Sequence, residues 1–169
     1  GSEMCIRDRD TMGFSLGGPV VEDKLFFYFN YEKFEQVYPA FYGPNGSGAT
    51  LEAYYVTQAL VDRVRASAQS LYGFDPGTYD TEQNNVSENT FVKLNYLLNS
   101  DHELEISYID TTSNLVKVRG QPPFGFSLDS QWYDDKQGVE VLTSKLFSNW
   151  SDRFSTQIVM STRTQTDNQ

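Results

Sequence analysis

The chain has 169 residues, a formal net charge of −10, and one histidine and one cysteine. Nucleic acid requires Lys and Arg clustered on one face, and 13 basic against 23 acidic residues exclude that partner class. Aromatic residues make up 15% of a chain whose mean hydropathy is −0.51, a combination that fits a transmembrane β-barrel, in which lipid-facing and lumen-facing residues alternate.

Gly1-Ser-Glu-Met-Cys-Ile-Arg-Asp-Arg9 opens the chain with charges and no apolar h-region, so it is not a signal peptide. These residues match one reading frame of a transposon-type sequencing adaptor. The expectation is that residues 1–9 are translated adaptor, that Cys5 is foreign with them, and that both ends of the chain are cuts. The protein proper is then residues 10–169, with no thiol for disulfides or thiolate metal sites.

Strand signals follow in pairs. The first pair is Thr11–Gly17 and Lys24–Val37, joined at Gly18-Pro-Val-Val-Glu-Asp23. In its second member Leu25, Phe27, Phe29 and Tyr31 alternate with Phe26, Tyr28, Asn30 and Glu32. A long connection, 38–88, comes next. Inside it Leu51, Tyr54, Tyr55, Ala59, Leu60, Val64, Ala68 and Leu71 recur at helical spacing, with Thr50 as the expected N-cap and Gly73 as the stop.

The second pair is Asn89–Leu98 and Glu103–Asp110, joined at Asn99-Ser-Asp-His102; Leu104, Ile106 and Tyr108 alternate there with Glu103, Glu105 and Ser107. A second long connection, 111–137, precedes the third pair, Gly138–Ser148 and Phe154–Gln165, joined at Asn149-Trp-Ser-Asp-Arg153. In Val139–Ser148 the pattern is mixed: Leu142 and Leu146 oppose Lys145, while Val139, Val141 and Phe147 share its side. Trp150 falls in the expected short turn, where a barrel places an aromatic at the membrane interface. Short turns alternating with long connections are the pattern of an outer-membrane barrel, with brief periplasmic turns and extended extracellular loops.

No catalytic constellation stands out, and the chain is read as neither an enzyme nor a cofactor or metal protein. His102 sits in a turn, and without a second histidine or a native cysteine neither a His-rich zinc site nor a Cys–His dyad is available. Gly43-Pro-Asn-Gly-Ser-Gly48 lacks the Gly-Lys-Ser/Thr ending of a phosphate loop. On the second long connection Trp132, Tyr133, Asp134 and Asp135, with Asp129 nearby, are the candidate ligand-binding residues, although their spacing matches no EF-hand.

The run Ser15-Leu-Gly-Gly-Pro-Val-Val-Glu-Asp-Lys-Leu-Phe-Phe-Tyr-Phe-Asn-Tyr-Glu32 closely resembles the start of the barrel in TonB-dependent outer-membrane receptors of the Oar-like subgroup. A looser similarity covers Asn89–Asp110, and Tyr72-Gly-Phe-Asp-Pro-Gly77 resembles a loop element of the same subgroup. The resemblance implies a mainly β fold: a fragment of an antiparallel transmembrane β-barrel, about six strands in three hairpins, with one helix in a long extracellular loop. It implies energised uptake of an extracellular ligand through a plugged barrel of about 22 strands in the bacterial cell outer membrane. The implied partners are outer-membrane lipid, a plug domain of the same protein, the TonB energy-transducing complex acting through the N-terminal region, and an extracellular ligand of unstated chemistry. Leu25, Phe27, Phe29, Tyr31, Leu104, Ile106 and Tyr108 are then expected to face lipid, and Tyr28, Asn30, Glu32, Lys93, Glu103 and Glu105 the lumen. The rival reading is a soluble or surface-attached β-rich binding module, of adhesin or carbohydrate-binding type, which must cover the aromatic face without lipid.

Overall fold

The structure, a computed structural model, describes residues 9–38, 41–79, 82–121 and 124–168. Residues 1–8, Cys5 among them, lie outside the described residues; Arg9 already belongs to the first strand. In chain order the elements are β1 (Arg9–Val21), β2 (Leu25–Tyr38), β3 (Tyr42–Pro44), β4 (Leu51–Ala53), α1 (Gln58–Tyr72) and β5 (Gln83–Leu97). There follow β6 (His102–Lys117), β7 (Gly120–Gln121), β8 (Gly125–Phe126), a short 3-10 turn at Asp129–Gln131, β9 (Tyr133–Ser151) and β10 (Phe154–Asn168).

Six of the strands form one antiparallel sheet in the order β1-β2-β5-β6-β9-β10. Spatial order equals chain order, so the sheet is a meander of three hairpins, mainly β as expected. It is open: β1 and β10 each pair on one side only. The hairpin turns at 22–24, 98–101 and 152–153 lie at one end of the sheet, and the connections 39–82 and 118–132 at the other. β3 and β4 pair in parallel within the first connection, and β7 and β8 pair antiparallel within the second.

Several expectations shift, the early start of β5 at Gln83 and the extension of β6 to Lys117 among them. The Gly-Gly-Pro run is strand, not turn: β1 continues through Gly17, Gly18 and Pro19, and the register slips between Pro19 and Val21. An edge strand with an irregularity is where a residue without an N–H is tolerated. The turn proper is Glu22-Asp23-Lys24, with Asp23 at φ 55 and the Lys24 N–H bonded to the Val21 carbonyl at 3.1 Å. The helix begins at Gln58, capped by Thr57 rather than Thr50, because the Thr57 hydroxyl accepts from the Leu60 N–H at 3.3 Å. Leu51, expected in the helix, pairs instead with Tyr42 in β4. Gly73 closes the helix as expected, at φ 61 with its N–H on the Ala68 and Gln69 carbonyls. Trp150 lies in the last residues of β9, and the turn is confined to Asp152-Arg153. β9 also starts earlier than its apolar pattern, at Tyr133, because β6 extends to Lys117 and carries the ladder with it.

The sheet has no core. Among the described residues the buried apolar side chains are Ala53 and Val61, with Pro44 fully buried; all three belong to the first long connection. Met12, Phe14, Leu16, Leu142, Ile158 and Met160 stand exposed on the sheet.

Candidate functional site

Because side chains alternate along each strand and cross-strand partners share a face, the register assigns every sheet residue to one of two faces. Phe27 pairs with Leu94, which pairs with Ile106, which pairs with Ser144, which pairs with Met160. One row toward the short turns, Leu25, Tyr96, Leu104, Leu146 and Ile158 run across the same face. One row the other way come Leu16, Phe29, Val92, Tyr108, Leu142 and Thr162. The result is an apolar band crossing all six strands. Leu25, Phe27, Phe29, Tyr31, Leu104, Ile106 and Tyr108 all lie on this face. Phe14 meets Phe29 and Tyr31 with ring centroids 5.6 and 6.0 Å apart.

The band has two rims. Toward the long connections it ends at Tyr31 and Tyr108, beyond which the same face carries Lys33, Glu35, Glu88, Asp110 and Glu140. The Tyr31 hydroxyl donates to Glu88 at 3.2 Å, joining the rim to that charged zone. Toward the short turns stand Tyr96, His102 and Trp150. The Trp150 Nε1–H donates to the Thr156 hydroxyl at 2.9 Å, and its ring lies 5.0 Å from that of His102.

The opposite face holds Tyr28, Asn30, Glu32, Lys93, Glu103 and Glu105. Its centre is an ion cluster. Glu105 on β6 takes the Lys145 ammonium of β9 at 2.8 Å and the Lys93 ammonium of β5 at 3.7 Å. Glu103 accepts from the Asn95 amide at 2.6 Å. Lys145 completes this cluster, and the sequence pattern obscured its role because Val139, Val141 and Phe147 share its face. Val141 meets Ile109 there, an apolar contact inside a polar surface. Tyr28 lies across from Gly17, and a Cβ at Gly17 would stand 3.1 Å from the tyrosine ring and 3.0 Å from the Phe27 carbonyl. The aromatic ring occupies the space that glycine leaves on an edge strand.

The candidate ligand residues of the second connection do not converge. The Trp132 Nε1–H is bonded to the Ser127 carbonyl at 3.2 Å. Tyr133 stacks under the Arg119 guanidinium at 5.6 Å. Asp134 and Asp135 are consecutive in β9 and point to opposite faces. Asp135 is buried and pairs with the Lys117 ammonium at 3.3 Å. Its carboxylate therefore fastens β9 to β6. Among the described residues no group of His, Cys, Asp and Glu is arranged to hold a metal ion.

The two long connections meet each other above the sheet. Thr78 and Asp129 exchange bonds: the Asp129 N–H donates to the Thr78 carbonyl at 2.7 Å and the Thr78 N–H to the Asp129 carboxylate at 3.1 Å. Tyr79 packs edge-on against Phe126, and Tyr55 stacks with Phe124. Within the first connection the Gly46 and Gly48 N–H groups clasp Glu52 at 3.0 and 2.8 Å, and these two bonds hold its carboxyl below the usual carboxylate range.

What the arrangement does chemically is separate two environments. One face offers apolar surface with tyrosines at both rims, and the other offers paired charges and amides. No described helix is long and apolar enough to cross a membrane, which says nothing of crossing by strands. Comparison with known proteins finds no matching family model, no similar curated protein and no similar solved structure.

Proposed function

We propose that this chain forms part of the wall of a transmembrane β-barrel, a TonB-dependent receptor of the outer membrane, with the apolar band against lipid and the opposite face toward a plugged lumen. The observation that carries the reading is the uncovered band itself. Among the described residues no element covers the apolar face that crosses the six strands, and contiguous apolar surface of this extent marks a membrane or partner contact. From Leu25 to Tyr31 the band runs about 20 Å at about 3.4 Å per residue, close to the about 25 Å apolar belt of outer-membrane barrels. Tyrosine and tryptophan at its rims match the aromatic girdles of such barrels.

Strands of 13 to 19 residues exceed the about 9–11 needed to cross hydrocarbon. The excess lies beyond Tyr31 and Tyr108, at the end with the long connections, which is the extracellular end in this reading. Uptake of an extracellular ligand, a plug in the lumen and the TonB complex as energy source come from the resemblance of Ser15–Glu32 alone.

The test is an alternation scan. Single cysteines placed at 26 to 31 in a Cys5→Ser background are reacted in membranes with a lipid-dissolved maleimide and with a water-soluble one. The lipid reagent should label Phe27→Cys, Phe29→Cys and Tyr31→Cys, and the aqueous reagent Tyr28→Cys and Asn30→Cys. Uniform aqueous labelling of both sets points instead to the soluble binding module.

A further inference from the structure

We propose that the apolar groove at the short-turn end of the sheet seats an anionic phospholipid, with an acyl chain on the band and the headgroup phosphate on Lys24. The inference rests on the membrane-wall reading and adds a specific ligand to it. The groove, of about 510 Å³, is lined by Val21, Leu25, Leu94, Tyr96, Leu104 and Ile106, contributed by β1, β2, β5 and β6. Lys24 lines it as well and is its one charged residue.

Lys24 is placed by the tight turn that joins β1 to β2. Its ammonium lies 6.0 Å from the centre of the Tyr96 ring, on the apolar face. Glu22 and Asp23 share the turn, but the four ion pairs among the described residues leave Lys24 out. The ring satisfies part of its charge, since an aromatic face attracts a cation at up to about 6 Å. The ammonium carries three donors, and the side chain lines an otherwise apolar groove. A ligand complementary to both is an amphiphile with an acyl chain and an anion at its head. A phosphodiester headgroup with no cation of its own fits best, because a zwitterionic head already carries a neutralising charge. A lysine flanking the hydrocarbon also extends its stem along apolar surface while its head reaches the phosphate layer.

The full chain is reconstituted into phosphatidylcholine vesicles doped with phosphatidylglycerol and extracted into neutral detergent, and the retained lipid is counted by native mass spectrometry. Retention of phosphatidylglycerol should exceed the bulk ratio about five-fold, the effect of one cation near an anionic lipid surface. Lys24→Gln should abolish the preference and Lys24→Arg keep it. Leu94→Trp, which fills the groove and leaves the charge in place, should also lose the lipid. Arg153→Gln removes a charge from the same end of the sheet and should change nothing. Equal retention of both lipids, or loss of the preference in Arg153→Gln, overturns the site while leaving the membrane reading intact. Failure of the chain to enter vesicles at all overturns both.

Discussion

Gly77 is the residue on which the contact between the two long connections depends. It has φ +75, and a side chain there would run into the Asp129 carboxylate that receives the Thr78 N–H. Asp75 prepares the bend by accepting the Gly77 N–H at 2.9 Å, an Asx turn. Gly77→Ala therefore combines a left-handed backbone with a steric conflict, and should destabilise this contact by about 1–3 kcal/mol. The effect should appear as faster proteolysis within 118–132, with the sheet unchanged; unchanged proteolysis would refute it. Glu52 gives a second prediction, in pH. Its carboxyl is held low by the Gly46 and Gly48 N–H groups, so the stability it lends the loop is complete above the ordinary carboxylate range and is lost as pH falls through the depressed value. Protection of the Gly46 and Gly48 amides, taken relative to their intrinsic exchange rates at each pH, should fall on acidification. In Glu52→Gln that protection should already be low at neutral pH, with no further acid step.

At the scale of elements, α1 shows what capping does. Its one buried residue is Val61, so little packing holds it, and its ends carry a large share of its stability. Thr57→Ala should cost about 1 kcal/mol, read as increased amide exchange through the first turn of the helix. Thr50→Ala, at the position the sequence suggested, should leave those amides unchanged. The misplacement has a physical cause: Leu51, Tyr54 and Tyr55 fit a helical period, yet Leu51–Ala53 joins β3 through backbone bonds that periodicity does not register. The hairpins were legible because apolar alternation and turn chemistry coincide in β2, β5 and β6. The early starts of β5 and β9 were not. Apart from Val86, residues 83–89 and 133–137 lack an apolar alternation, and the ladder of the neighbouring strand keeps them extended. The candidate ligand residues illustrate the same limit. Asp134 and Asp135 are neighbours in sequence, and a strand sends neighbours to opposite sides.

For the whole molecule, the assignment of faces predicts opposite responses at adjacent positions. Phe29 lies mid-band and Asn30 on the face of the ion cluster. Phe29→Arg should cost about 2–4 kcal/mol of stability in lipid, the range for a basic residue near the middle of a barrel's lipid face. Asn30→Arg should cost far less. Denaturant titration of the chain folded into vesicles measures both, and equal costs would sink the two-environment reading. The partition of residues between faces was legible from alternation in β2, β5 and β6, and not in β9, where Val139, Val141 and Phe147 share the face of Lys145. That the sheet stays open, and that the buried apolar side chains among the described residues sit in a connection, required the structure.

The order of the strands has a consequence for how such a sheet is made. Each of the five interstrand seams joins strands that follow one another through the sheet in chain order, so no seam waits for a distant part of the chain. A hairpin can zip onto the edge left by the hairpin before it, with the entropy of closing only one connection at each step. The longest such closure bridges β2 and β5, and there β3, β4 and α1 shorten the effective loop by folding within it. Growth of this kind is vectorial. Each completed hairpin presents a free row of N–H and C=O groups that serves as the template for the next, so the edges of β2 and β6 are exposed only until β5 and β9 arrive.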